Sequence, residues 1–155
     1  MSETPEHIGK LLRSGVALQI HTAYVAEHWA EMEAYFLAME GHTQLCAAQD
    51  LKAPLIDGRM TAFGAQNADG SVSMAIAGIF QGSKGQICRS WLLALPNAQE
   101  SIVATLADEC EIYARLNGCI VLEIDALPCW AARIAGKVTA VMMERDLREP
   151  RKGVN

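Results

Sequence analysis

The sequence predicts an α+β fold: a mixed sheet built from an antiparallel meander and one parallel β-α-β crossover, with helices on both faces. Three observations carry this. Apolar residues alternate at the strand period, switch to the helical period, and switch back along the chain. Two turn-forming stretches, Asn67-Ala68-Asp69-Gly70 and Gly82-Ser83-Lys84-Gly85, divide the middle of the chain into short apolar runs. A helical pattern then separates two further strand-like runs, and such a strand-helix-strand unit makes its two strands parallel.

The elements follow in order. In VALQIHTA, Val16 to Ala23, the residues Val16, Leu18 and Ile20 alternate with Ala17, Gln19 and His21, which reads as a strand. From Tyr24 to Glu40, Val25, Trp29, Met32 and Phe36 recur at helical spacing with Glu27, Glu31 and Glu33 between them, and Gly41 ends the helix. A short helix is expected before Pro54. RMTAFGAQ (Arg59 to Gln66) and SVSMAIAGIF (Ser71 to Phe80) form a hairpin, and GQICRSWLLALP (Gly85 to Pro96) is the third strand of the meander.

After Pro96 the period changes again. Ile102, Val103, Leu106, Cys110, Tyr113 and Leu116 trace one face of a helix from about Ala98 to Asn117. Asn97 and Glu100 have the spacing of a capping box, and Gly118 closes the helix. CIVLEID reads as a strand buried on both faces. Pro128 opens a short helix, Gly136 closes it, and VTAVMMERDL is the last strand.

Bulk properties bound the rest. The 155 residues suit one domain, expected over 1–155, with 1–15 and 148–155 as flexible ends. An apolar fraction of 51% with 20% charged residues supports a real core. Mean hydropathy is +0.12, yet no apolar run reaches the roughly 18 residues of a membrane span. The polar start MSETPEHIGKLLRSG has no secretory pattern. A net charge of −5 argues against a sequence-independent nucleic-acid binder. The interleaved charges around Arg145, Arg148, Arg151 and Lys152 read as a solvated tail. Five cysteines with no C-x-x-C pair do not make a closed zinc site. Cys88, Cys110, Cys119 and Cys129 lie in apolar segments, as reduced core thiols of a cytoplasmic protein do.

Few residues carry chemistry by pattern alone. Glu123 and Asp125 are the carboxylates on the strand after the crossover, and a carboxylate at a strand end is well placed to act as a base in a cleft. The competing reading has Glu123 facing solvent or a backbone partner and Asp125 capping the turn into Pro128. Cys88 as a nucleophile needs an activating histidine, and none is placed by sequence to serve. His21 and His28, with Glu27 and Glu31, would share a face only on one unbroken helix, so no metal site is expected. Trp29, Trp91 and Trp130 line either a cleft or the core.

The element order, and the ending from Ile120–Asp125 through Pro128–Ala135 and Gly136 to Glu144-Arg145-Asp146-Leu147, resembles the GNAT family of acyl-CoA-dependent N-acyltransferases. The order covers about Val16 to Leu147, and the motif-level match is confined to the last third. The resemblance implies a GNAT-like sheet with a wedge between Ser90–Leu95 and Ile120–Glu123. It implies acetyl-CoA lying along Leu92, Leu93, Ala94 and Leu95, with its pyrophosphate at Asn97, Ala98, Gln99 and Ser101, on the free N–H groups of the following helix. Glu123 and Asp125 take the catalytic place. The chain departs from the family pattern at three points. Gln99 and Ser101 stand at glycine positions, Glu100 brings a carboxylate beside a polyanion, and Ala132 stands where the family has its tyrosine acid. No obvious replacement for that tyrosine exists, and Tyr113 or Cys129 is expected near its place.

Two functions follow. One is an N-acyltransferase moving an acyl group from acyl-CoA to an amine. The other is a non-catalytic GNAT-like module for assembly, as among compact bacteriophage proteins, some of them virion components. Met142 and Met143 in the last strand suggest a covered edge, hence a homo-oligomer or an assembly contact. A ligand-binding α+β domain of another kind is expected if Cys119–Asp125 runs antiparallel to its neighbour.

Overall fold

The computed structural model describes residues 12, 15–39, 48–131, 133 and 134. The strands are β1 (Leu18–Ile20), β2 (Met60–Gln66), β3 (Val72–Gln81), β4 (Gln86–Leu93) and β5 (Val121–Asp125). The helices are α1 (Thr22–Glu27), α2 (Trp29–Met39), α3 (Lys52–Asp57), α4 (Glu100–Leu116) and α5 (Pro128–Ala131), with a 3-10 turn over Ala48–Leu51 leading into α3. The strands form one sheet in the order β1-β2-β3-β4-β5. β1 to β4 pair antiparallel, and β4 pairs with β5 in parallel from Ile87↔Val121 to Trp91↔Asp125. The predicted meander and parallel crossover are both present, and the antiparallel alternative for Cys119–Asp125 is excluded.

Side-chain alternation along the strands sorts the core into two layers. Ile20, Ala62, Met74, Ile76 and Leu93 face α1, α2 and α3, meeting Val25, Met32, Phe36, Leu51 and Leu55. Phe63, Ala75, Ala77, Cys88 and Leu92 face α4, meeting Ile102, Val103, Leu106 and Cys110. The small residues of β3 on the α4 side let that helix lie close against the sheet. Helices therefore cover both faces.

The structure corrects several local expectations. The helix read from Tyr24 to Glu40 breaks at His28, whose backbone leaves helical geometry (φ −121°, ψ 31°). The break keeps its apolar face in register, with Val25 before it and Met32 and Phe36 after it all buried, so periodicity alone does not reveal it. β1 is shorter than Val16–Ala23 because His21 leaves the strand to cap α1, its Nδ1 accepting from the Ala23 N–H at 3.0 Å. α3 runs through Pro54 rather than ending before it, since a first-turn proline loses no helical hydrogen bond. β5 is not buried on both faces: Val121 is 45% exposed and Glu123 is exposed, because among the described residues β5 is the sheet's edge. The last strand, its Met142 and Met143, Gly136, Ala132 and the charged tail lie outside the described residues.

Burial decides the expected mutational costs. Phe36→Ala removes a ring with no solvent exposure and should cost about 3–5 kcal/mol in urea unfolding. Leu116→Ala, at the 81% exposed end of the apolar pattern read along α4, should change stability by no more than about 0.5 kcal/mol.

Candidate functional site

The site forms where β4 outlasts β5. The ladder between them stops at Trp91↔Asp125, whereas β4 continues to Leu93 beside β3. The Gly82 N–H bonds to the Gly85 carbonyl at 2.8 Å, which fixes the alternation of the β3–β4 hairpin. Ile87, Arg89, Trp91 and Leu93 then direct their backbone groups at β3, and Leu92 and Ala94 direct theirs at β5 or at the space beyond its end. That space is a fork with backbone donors and acceptors on its β4 side.

At the fork's base stands Asp125. It shares a sheet face with Trp91, its partner in register, and Trp91 packs on the α1–α3 layer. Among the described residues no hydrogen bond or ion pair engages the Asp125 carboxylate, and it does not cap α5. Desolvation pushes its carboxyl above the ordinary value. Glu123, on the same face, is exposed and tied to Arg89, whose Nε donates at 2.9 Å. The structure therefore gives the two sequence candidates different surroundings, one unpartnered and partly desolvated, the other paired in solvent.

The stretch from Asn97 to Ser101 is built differently from a capping box. The Ala98 N–H bonds to the Leu95 carbonyl at 3.0 Å, closing a turn around Pro96 that delays the helix. The N-cap is Gln99, in extended geometry, and no side chain caps the helix. Neither Asn97 nor Glu100 caps it, which corrects the sequence reading. Gln99 is fixed from across the sheet end. Its N–H donates to the Asn67 Oδ1 at 2.9 Å, and its Oε1 accepts from the Ala68 N–H at 3.1 Å. Gln99 Nε2 donates to the Ser101 hydroxyl at 2.9 Å. Asn67, only 5% exposed, uses its amide N–H groups on Ser71 and Ser73. Sequence reasoning treated Asn67 as a turn residue and missed this role. The N–H groups of Glu100 and Ser101 remain without a hydrogen-bond partner among the described residues.

One side chain reaches into the fork. Trp130, 1% exposed, donates its Nε1–H to the Ala94 carbonyl at 3.2 Å and to the Leu95 carbonyl at 3.3 Å. Leu92 and Ala94 are buried in the α4 layer beside it, and Leu93 faces the other layer. A cavity of about 240 Å³ opens on the α2 side of the loop, lined by Tyr35, Met39, Met74, Leu93, Leu95 and Asn97. Its walls include Leu93, Leu95, Asn97 and Ala98, four of the residues expected along the cofactor, but neither Trp91 nor Asp125.

The remaining candidates fall away from the fork or lack reactivity. Burial pushes the Cys88 thiol up to about 11 and the Cys110 thiol up to about 12, so neither supplies a thiolate at neutral pH. Tyr113 packs edge-on against Phe63 in the α4 layer, on the opposite sheet face from Asp125. Cys129 is exposed. His21 caps α1, and His28 stacks on Tyr24 with ring centroids 4.3 Å apart. No cluster of metal-ligating side chains occurs among the described residues. No described helix is long and apolar enough to cross a membrane.

The Asn67–Gln99 bridge should be measurable. Asn67→Ala leaves the Gln99 N–H and the Ser73 hydroxyl short of a partner in a buried setting, at a cost of about 2 kcal/mol in denaturant unfolding. Amide exchange at Gln99 and Ala68 should speed up in the same variant.

No family model matches the sequence, and no curated protein does. Solved structures do match. An aminoglycoside N-acetyltransferase in complex with CoA is 17% identical, with a TM-score of 0.56 over 84% of this chain and 93% of that one. A predicted acetyltransferase with acetyl-CoA from Clostridium acetobutylicum is 11% identical, with a TM-score of 0.58 over 85% and 96%. An aminoglycoside acetyltransferase from an uncultured soil metagenomic sample, in complex with sisomicin, is 9% identical, with a TM-score of 0.59 over 84% and 95%. At such identities the likeness is one of fold, and with the parallel β4–β5 pair and the helices on both faces it makes this chain's fold GNAT-like.

Proposed function

We propose that the chain is a single-domain N-acyltransferase that moves an acyl group from acyl-CoA to an amine. The observation that carries this reading is the carboxylate of Asp125, unpartnered among the described residues, at the point where β4 and β5 part. Solved neighbours of the same fold hold CoA, acetyl-CoA or an aminoglycoside, which supports the substrate classes.

The residues present fit an acyl-CoA in part. Leu92 and Ala94 offer backbone groups to an extended amide-bearing arm. The open N–H groups of Glu100 and Ser101, at the positive end of α4, suit a phosphate. Glu100's own carboxylate opposes one, and the Gln99 N–H is already committed to Asn67. When bound, the cofactor supplies an acyl group activated as a thioester. The protein's part is to hold the amine beside it and to take its proton at Asp125. Burial favours the protonated form of Asp125, so a proton taken there is retained better than on an exposed carboxylate. Glu123, bonded to Arg89, acts on the open face by charge rather than as the base.

A non-catalytic assembly module is the second reading, and one observation favours it: Trp130 already occupies carbonyls that the arm would use.

Two experiments decide. Acetyl-CoA should raise the melting temperature by native-state binding, and Glu100→Gly should enlarge the rise by removing a carboxylate from the phosphate site. No rise in either protein would defeat the acyltransferase reading. In an assay of free thiol release with an amine panel, Asp125→Asn should lower kcat/KM by about 10²–10⁴, and Glu123→Gln by far less. Activity should fall on acidification through a value above that of an ordinary carboxylate, because the base must be ionised. Stability runs the other way. A carboxyl raised in the folded state binds more protons than in the unfolded state, so stability declines as pH rises from the unfolded value through the raised one. Asp125→Asn should therefore melt higher than the parent at neutral pH while losing activity.

A further inference from the structure

The fork contains a side chain whose chemistry imitates an amide. The indole N–H of Trp130 meets the carbonyls of Ala94 and Leu95, at 3.2 and 3.3 Å. Ala94 is the position whose backbone groups point past the end of β5. An extended ligand with secondary amides would bring an N–H donor to this same carbonyl. The guanidinium of Arg133 lies 5.4 Å from the ring centroid, adding a cation–π contact to the closed arrangement.

The segment carrying the indole is suited to move as a unit. α5 is four residues long, begins at Pro128, and joins β5 through Ala126 and Leu127, which belong to no regular element. Among the described residues its backbone bonds are local: the Trp130 N–H to the Leu127 carbonyl at 2.9 Å, and the Arg133 and Ile134 N–H groups to the Trp130 carbonyl at 2.9 and 3.0 Å. Rotation about residues 126–127 would withdraw the indole without breaking a strand pair of β4 and β5.

We propose that Trp130 is a latch on the acyl-CoA slot: the free protein keeps the fork filled with its own indole, and the cofactor's amide-bearing arm binds by displacing it. This inference rests on the acyl-CoA reading of the fork. It assigns α5 a regulatory task, because any contact that holds or releases α5 sets the apparent affinity for the cofactor. Apparent affinity is proportional to the fraction of molecules whose slot is open.

The test uses the full chain and CoA, which binds without turnover. Titration calorimetry on wild type, Trp130→Phe and Trp130→Ala gives affinities, and tryptophan emission reports the indole's environment. Trp130→Phe keeps an aromatic ring in the core and loses only the N–H donor and some bulk, so it carries the test if Trp130→Ala does not fold. The latch predicts tighter CoA binding by both variants, by about tenfold if the wild-type slot is open about one-tenth of the time. It also predicts a red shift of wild-type emission on CoA addition that Trp130→Phe, retaining Trp29 and Trp91, does not show. Binding by the variants with none by wild type supports a latch that stays shut. Equal or weaker binding by the variants, without a Trp130-dependent emission change, overturns the latch and leaves the acyltransferase reading standing. Binding by none of the folded proteins overturns both.

Discussion

A strand that outlasts its neighbour is the constraint on which the rest of this site depends. β4 runs two residues past its last partner in β5, from Trp91 to Leu93, while β3 still holds its other side. Backbone groups on the abandoned side need partners, because buried polar groups left unpaired cost more than any single contact gains. Trp130 answers part of that need with its indole N–H. The same unmet need would let the fork hold the extended ligand proposed above. The groups that a ligand would bond are those that the protein must otherwise satisfy itself. A site of this kind is never simply empty; it is filled by the chain, by water or by a ligand, and the ranking of those occupants is its affinity.

The loop before α4 meets a second need by a different route. Glycines in a phosphate-binding turn let the backbone approach an anion closely. Here the turn is fixed by side chains instead. Asn67 reaches from the β2–β3 hairpin to the Gln99 N–H, and Gln99 reaches back to Ala68. The arrangement uses one donor that a helix N-terminus would otherwise offer to a ligand, and it leaves those of Glu100 and Ser101. Rigidity is gained at some loss of anion-binding capacity.

The sheet was legible in the sequence because its signals are local. Asn67 to Gly70 and Gly82 to Gly85 are turn chemistry, and Ile102, Val103, Leu106 and Cys110 are one helix face. Both follow from side-chain period and backbone preference. The break at His28 was not legible, since Val25, Met32 and Phe36 stay on one buried face across it. The start of α4 was misread for a related reason. Asn97 and Glu100 have the spacing of a cap, but the Gln99 N–H is taken by a residue more than thirty positions earlier, Asn67, a contact that no local pattern contains. Trp130 was seen as either core or cleft, and its geometry joins the two. Its ring belongs to the α4 layer, and its N–H belongs to the fork.

Glu123 and Asp125 show how position separates two residues of the same chemistry. They lie two apart on one strand and share a face, yet only Glu123 has a cation opposite it, because Arg89 is its partner in register. Asp125 is opposite Trp91, which offers no charge. The outcome is an ion pair in solvent at one position and, at the other, a partly desolvated carboxyl with no partner among the described residues. An ion pair between exposed groups contributes little stability, and an isolated desolvated carboxylate subtracts from it. The register of a single parallel ladder thus allots a neutral role to Glu123 and a strained one to Asp125.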